Sequence, residues 1–141
     1  MPRWLGIDFG EKRVGLAVSD PDGFLASARE VCAVTGPRDA IEKVVAAFKA
    51  SGASGVVVGL PLNMDGTRGP AALKAEAFAE ALAQQLQVPV KLWDERLTTK
   101  AAHDVMIAGG ARGEKRRGIV DKIAAQLMLQ NYLDAHSSPP S

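Results

Sequence analysis

Apolar residues crowd the start of the chain in two short runs, 3–9 and 13–19, parted by Gly10-Glu11-Lys12. Short apolar runs around a tight polar link predict two antiparallel strands. Pro21-Asp22-Gly23 is a turn signal, and a third strand is expected over 24–34, where Val31, Cys32 and Val34 are apolar and Gly36-Pro37 breaks the run. The period then changes. Ile41, Val44, Val45 and Phe48 recur at helical spacing and predict a helix over 38–50, stopped by Ser51-Gly52. Val56-Val57-Val58-Gly59-Leu60 is wholly apolar, the pattern of a strand buried on both faces. A loop rich in Pro, Asn and Gly covers 61–69, and Pro70 opens a second helix with Leu73, Ala77, Phe78, Ala81, Leu82 and Leu86 on its stripe. A strand over 88–94 follows. Thr98 or Thr99 is placed to cap a further helix that reaches Ala108 and ends at Gly109-Gly110. Residues 112–118 read as a charged, glycine-flanked loop, and 119–135 as the last helix.

The order β-β-β-α-β-α-β-α-α puts three antiparallel strands ahead of βαβ units. It predicts an α/β fold with a mixed five-stranded sheet, strand one at its centre and helices on both faces. One domain over 1–135 is expected, with a Ser/Pro-rich tail over 136–141 that frays.

Charge and cysteine content narrow the setting. The net charge is +1, so nucleic-acid binding would need a local basic patch, not a global field. Cys32 is the only cysteine and suits a reducing compartment as a small apolar residue. The charged residues Asp8, Glu11, Lys12 and Arg13 interrupt any signal-peptide core, and no apolar stretch is long enough to span a bilayer. A cytoplasmic protein without membrane attachment is the expectation.

The acids are the candidate chemistry. Asp8 lies inside the first strand, where a carboxylate is costly to desolvate unless it is hydrogen-bonded or holds a cation. Asp94 and Glu95 leave the last strand at its carboxyl end, where α/β sheets gather their sites. Asp121 falls early in the last helix, where the helix dipole alone favours a carboxylate. Each acid by itself has an ordinary structural role. Three or four converging would make a hard-oxygen site for Mg²⁺ or Mn²⁺. Two such ions serve phosphodiester hydrolysis by supplying the attacking water and stabilising the leaving oxygen. His103 and His136 stand alone without zinc-type spacing, and neither a Ser-His-Asp arrangement nor a GxxxxGK loop is present.

Each acid has basic neighbours in sequence: Lys12 and Arg13 after Asp8, Arg96 and Lys100 after Glu95, and Arg112, Lys115, Arg116 and Arg117 before Asp121. A phosphate backbone needs such a surround, although charged loops are often merely solvated. Asn63, Thr67 and Arg68 add donors in the 61–69 loop, with Gly66 and Gly69 permitting close backbone approach.

Four stretches resemble a known family: Gly6-Ile7-Asp8-Phe9-Gly10-Glu11-Lys12-Arg13-Val14-Gly15-Leu16-Ala17, Val58-Gly59-Leu60-Pro61-Leu62-Asn63-Met64-Asp65-Gly66, Trp93-Asp94-Glu95-Arg96-Leu97-Thr98-Thr99 and Asp121-Lys122-Ile123-Ala124-Ala125-Gln126. The family is YqgF, also called RuvX, of pre-16S rRNA nucleases once described as Holliday-junction resolvase-like. The resemblance covers nearly the whole chain. It implies a ribonuclease-H-like fold with Asp8, Glu95 and Asp121 as catalytic, metal-binding acids, Asp94 being a further possible ligand. It also implies two Mg²⁺ or Mn²⁺ ions and phosphate contacts from Lys12, Arg13 and Arg96. The implied substrate is the 16S rRNA precursor, with ribosomal particles as possible partners and a monomer or weak homodimer as the assembly. Branched DNA is the alternative, for which a resolvase needs a two-fold dimer. A non-catalytic nucleic-acid-binding module in ribosome assembly or transcription is the alternative of another class. The D-x-G turn of sugar kinases and actin is a third, but those proteins need two such domains.

Overall fold

The computed structural model describes residues 3–94 and 113–136. Strand β1 (Trp4–Phe9) pairs antiparallel with β2 (Arg13–Ser19) on one side and parallel with β4 (Gly55–Leu60) on the other. β3 (Ala26–Ala33) extends the sheet beyond β2, and β5 (Val90–Asp94) extends it beyond β4. The sheet order is β3-β2-β1-β4-β5, so β1 is central, as the pattern predicts.

Alternation within the strands builds two cores. Leu5 and Ile7 of β1, Val14 and Leu16 of β2, and Val56 and Val58 of β4 pack under α1 (Pro37–Ser51) and α2 (Pro70–Leu86), against Val44, Val45, Phe78 and Leu82. On the other face, Ala17 and Val57 meet Ala125, Met128, Leu129, Tyr132 and Leu133 of α3 (Gly113–His136). Residues from Gly55 to Gly59 are buried, consistent with a strand covered on both sides.

The α3 layer lies close to the sheet because β1 carries Gly6 beneath it. A Cβ at Gly6 would stand 2.9 Å from the Cβ of Leu129. Two glutamines then tie α3 to the start of β3. Ala26 N–H donates to Gln130 Oε1 at 2.8 Å, while Gln126 Nε2 donates to Ala26 O and Gln130 Nε2 to Phe24 O. Trp93 Nε1 donates to Asn131 Oδ1 at 2.8 Å, and its ring meets Tyr132 edge-on, as does that of Trp4.

Several elements depart from the sequence reading. β3 begins at Ala26, because the backbone N–H groups of Phe24 and Leu25 are taken by Asp20 Oδ1 in the preceding turn. On α2 the buried positions are Ala72, Ala75, Phe78, Ala79 and Leu82, while Leu73 is 58% exposed and Ala77 and Ala81 are exposed. The helix is rotated so that small alanines sit on the sheet, and ranking positions by hydrophobic size overweighted Leu73. The stretch read as a loop over 112–118 is helical from Gly113 onward. Glu114-Lys115-Arg116-Arg117 are good helix formers, and a glycine inside a helix costs only about 1 kcal/mol relative to alanine. His136 still belongs to α3, with Nδ1 at 2.8 Å from Tyr132 O, and the remainder of the expected tail lies outside the described residues. The helix expected up to Ala108 lies outside the described residues. Cys32 is half-buried against the first core, and burial raises its thiol pKa. Among the described residues no helix is long and apolar enough to cross a membrane.

Two outcomes follow from these contacts. Gly6→Ala should lower stability by about 1–3 kcal/mol, since Leu129 Cβ is fixed to its backbone and cannot rotate away. Denaturant unfolding with an unchanged midpoint would show that α3 is not held at this distance. The N–H of Phe24 holds the Asp20 carboxyl below its ordinary 3.8. A depressed folded pKa stabilises above the unfolded value, and that stabilisation is lost as pH falls through the folded one. Asp20→Asn should therefore melt below wild type near pH 6, with the gap narrowing below about pH 3.8. An equal gap in melting scans at both ends would remove the charge from the explanation.

Candidate active site

β1, β4 and β5 run parallel, so their carboxyl ends share one edge of the sheet. Asp8 is the next-to-last residue of β1 and is half-buried. Leu5 and Ile7 point under α1 and α2, so alternation assigns Asp8 to the face that α3 covers. Its partner on β2 is Gly15. On the other side Ile7 pairs with Val58, which sets Gly59 alongside Asp8. Gly59 in turn pairs with Trp93. The Asp8 carboxylate thus stands in a row whose two flanking positions carry no side chain.

Arg13 shares this face. Val14 and Leu16 belong to the α1/α2 core, so Arg13 and Gly15 alternate to the α3 side. Arg13 lies one same-face step beyond Gly15 toward the edge, a diagonal neighbour of Asp8 across the β1–β2 pair. Lys12 is exposed in the turn, with its carbonyl accepting from Val34 N–H at 2.9 Å. Between them and Asp8, Gly10 closes the hairpin: a Cβ there would stand 2.7 Å from the Arg13 carbonyl oxygen. Glu11 forms an ion pair with Lys74 of α2, and this partner lowers the Glu11 pKa. The hairpin tip is thereby drawn toward α2 on one side while Arg13 stays on the Asp8 side.

Asp94 ends β5 and is exposed. Trp93 faces α3, so alternation puts Asp94 on the opposite face from Asp8. Alternation therefore starts the Asp94 and Asp8 side chains from opposite faces of the sheet. Glu95, Arg96 and Lys100 lie outside the described residues. Asp121 lies on α3, four residues before Ala125, and Lys115, Arg116 and Arg117 occupy the early turns of the same helix. Among the described side chains no three His, Cys, Asp or Glu residues form a metal-sized group.

The loop after β4 is more ordered than its composition suggests. Asn63 N–H donates to Thr67 O at 2.9 Å and Gly66 N–H to Asn63 O at 2.8 Å, with Gly66 in the left-handed region at φ 87°. Asn63 Nδ2 donates to Thr67 Oγ1, and Thr67 donates to Asp65 Oδ1 through both its N–H and its hydroxyl. Arg68 pairs with Glu76 of α2 at 3.3 Å. Asn63 and Arg68, expected as ligands of nucleic acid, each have a partner within the protein and remain exposed.

Reading the sequence alone missed Gly15 and Gly59 as neighbours of Asp8. The signal was present: a glycine inside a strand often marks a place where a ligand or another backbone approaches closely. Their common row with Asp8 is visible only once the strands are paired.

A sequence model described as RuvX, Holliday junction resolvase, matches residues 2–135. A relative from Pelotomaculum thermopropionicum is 44% identical, over 97% of this chain and 90% of its own length. Another from Geobacillus thermodenitrificans is 44% identical, over 94% of this chain and 98% of its own. Both bear the provisional name pre-16S rRNA nuclease. Among solved structures, Thermus thermophilus RuvC in complex with a Holliday junction substrate superposes with TM-score 0.58 at 17% identity, covering 96% of this chain and 97% of that one. The fowlpox virus Holliday junction resolvase gives 0.58 at 13% identity, over 94% and 98%. These likenesses establish the ribonuclease-H-like fold.

Proposed function

From the chain's place in the RuvX family, to which it belongs, we propose that it is a nuclease hydrolysing phosphodiester bonds in structured nucleic acid. Its substrate is the 16S rRNA precursor, cut during ribosome maturation in the cytoplasm. The observation that carries this reading is Asp8: a carboxylate at the end of the central strand, on the α3 face, between Gly15 and Gly59, with Arg13 diagonal to it.

Asp8, Glu95 and Asp121 form the acidic set in this proposal. They offer only hard oxygen donors, which suit Mg²⁺ or Mn²⁺, and the glycines flanking Asp8 leave room beside its carboxylate. Two such ions, when bound, supply positive charge at the scissile phosphate and an activated water. The chain's own residues do the rest. Asp8 anchors the site to the most enclosed strand, and Arg13 with Lys12 and Arg96 offsets phosphate charge. Lys100, Lys115, Arg116 and Arg117 extend the basic surround, and their contacts release counterions from the substrate. Asn63 and Arg68 brace the 61–69 loop through Thr67 and Glu76, and the exposed Arg68 guanidinium keeps further N–H groups to offer to phosphate. Cleavage of a four-way DNA junction is the second reading, favoured by the description of the family model.

Asp8→Asn should abolish metal-dependent cleavage of end-labelled 16S precursor RNA and leave binding intact or tighter, because one negative charge beside phosphate is removed. Cutting at the wild-type rate would take Asp8 out of the site. A synthetic four-way junction run in parallel separates the two substrates, since paired symmetric cuts there would put the resolvase reading first. Replacing Arg116 and Arg117 with Gln should flatten the slope of log affinity against log salt by about 1.4–1.8, as for two lost phosphate contacts. An unchanged slope in filter binding would leave these arginines as solvated charges.

A further inference from the structure

A cavity of about 630 Å³ opens between α1, α2 and the β1–β2 hairpin, on the other face of β1 from Asp8. The proposed chemistry leaves it unused. Phe9, the residue after Asp8, lines it together with Ile41, Ala77, Phe78 and Ala81. Phe9 and Phe78 stack with ring centroids 4.5 Å apart. Phe78 is 4% exposed, while Phe9 and Ile41 are only half-buried, so their uncovered apolar surface borders the cavity. Small residues keep the space open: Ala77 and Ala81 are exposed on α2, and a Cβ at Gly36 would meet nothing within 4 Å.

The rim of the cavity is charged. Lys74 is taken by Glu11. Asp39, the acid in the first turn of α1, receives the Thr35 N–H at 2.9 Å and pairs with Lys43 at 3.2 Å. Arg38 also lines the cavity, is exposed, and among the described residues has no carboxylate partner. It stands in the first turn of α1, where Gly36 gives no side-chain cap and Pro37 is the first helical residue. The helix dipole there favours an anion. The cavity adds what a helix start lacks: concave apolar surface of the size that takes one small ligand, with a few polar groups at its mouth. Gln85 is another of these, with an amide that both donates and accepts. A flat aromatic body suits the open side of Phe9, because bases stack on aromatic rings whatever their sequence. A phosphate suits Arg38. A nucleotide carries both.

We propose that this cavity binds a nucleotide, with its base against Phe9 and Ile41 and its phosphate at Arg38 and the start of α1. The nucleotide is either a free nucleoside monophosphate or an unpaired nucleotide of the nucleic-acid substrate, since both present the same base and phosphate. Phe9 and Gly10 directly follow Asp8 in β1 and line the cavity, so either occupant touches the segment that carries the candidate catalytic acid. The free form stands apart from the nuclease reading given above, and the substrate form rests on it.

The test titrates full-length protein with 2-aminopurine riboside 5′-monophosphate, and with the same nucleoside lacking its phosphate, by fluorescence. In parallel, Asp8→Asn protein is crosslinked to a precursor stem carrying 4-thiouridine in a single-stranded overhang, and the attached peptides are mapped. Saturable binding of the monophosphate assigns the site to a free nucleotide. Crosslinks to the peptides of Phe9 or Ile41 assign it to the substrate. Whichever signal appears, Ala81→Phe should abolish it by filling the cavity. Arg38→Gln should lower the crosslink yield or weaken the monophosphate about tenfold, as for one lost charge-assisted hydrogen bond, and leave the nucleoside unchanged. Arg38 is a surface residue, so its variant keeps the test decisive if Ala81→Phe disturbs α2. Neither signal, or a signal that survives both substitutions, would overturn the nucleotide site. Cutting of precursor RNA by wild type decides the nuclease reading separately, because the titration involves no cleavage.

Discussion

The close approach of α3 to β1 is the contact from which the rest of the arrangement follows. A central strand flanked by a neighbour on each side can admit a helix at short range only where a side chain is missing, and Gly6 provides that place beneath Leu129. Two residues further along the same face stands Asp8. The strand that lets the helix in is therefore also the strand that delivers a carboxylate to the space under it. Asp121, on α3 itself, belongs to the same layer of the molecule.

Polar satisfaction keeps this layer in register. A helix lying over a sheet by apolar contact alone can slide, because dispersion and hydrophobic burial are non-directional. Gln126 and Gln130 add direction by taking the backbone groups of Ala26 and Phe24, which β3 leaves at its start. Trp93 adds another directional bond through Asn131, joining the opposite edge of the sheet to the same helix. Hydrogen bonds thus reach α3 from both outer strands, and the aromatic contacts of Trp4 and Trp93 with Tyr132 lie between them. On the opposite core, Lys43 Nζ of α1 donates to the Ala33 carbonyl at the end of β3. That core's stability leans on the larger apolar set under α1 and α2.

The site edge divides its work between two loops. The β1–β2 hairpin is short, so Arg13 falls on the Asp8 face by alternation alone, and the Glu11–Lys74 pair tethers the tip to α2. That pair is exposed, and such pairs add little to stability. Its consequence is orientation. The longer loop after β4 has no sheet to order it and supplies its own order through Asn63, Asp65 and Thr67.

Much of the fold was readable from the chain. Alternation and period identified every described strand and helix, and the β-β-β-α-β-α-β order implied a mixed sheet centred on β1. The motifs around Asp8 pointed to the family. Three features were not readable. The rotation of α2, which buries Ala72 and Ala75 and leaves Leu73 out, depends on how closely a helix can sit on a sheet. The start of α3 at Gly113 depends on the balance between helix propensity and two glycines, which local sequence leaves open. The separation of Asp94 from Asp8 depends on register, because one residue along a strand reverses the face.

Local sequence determines which residues can form a strand, a turn or a helix, because those preferences are set by neighbours a few positions away. Tertiary structure alone decided that Gly15 and Gly59, forty-four positions apart, flank one carboxylate, and that Arg68 meets Glu76 of α2. Pairing between strands is a non-local interaction, and its register is fixed only when both faces of the sheet are buried at once.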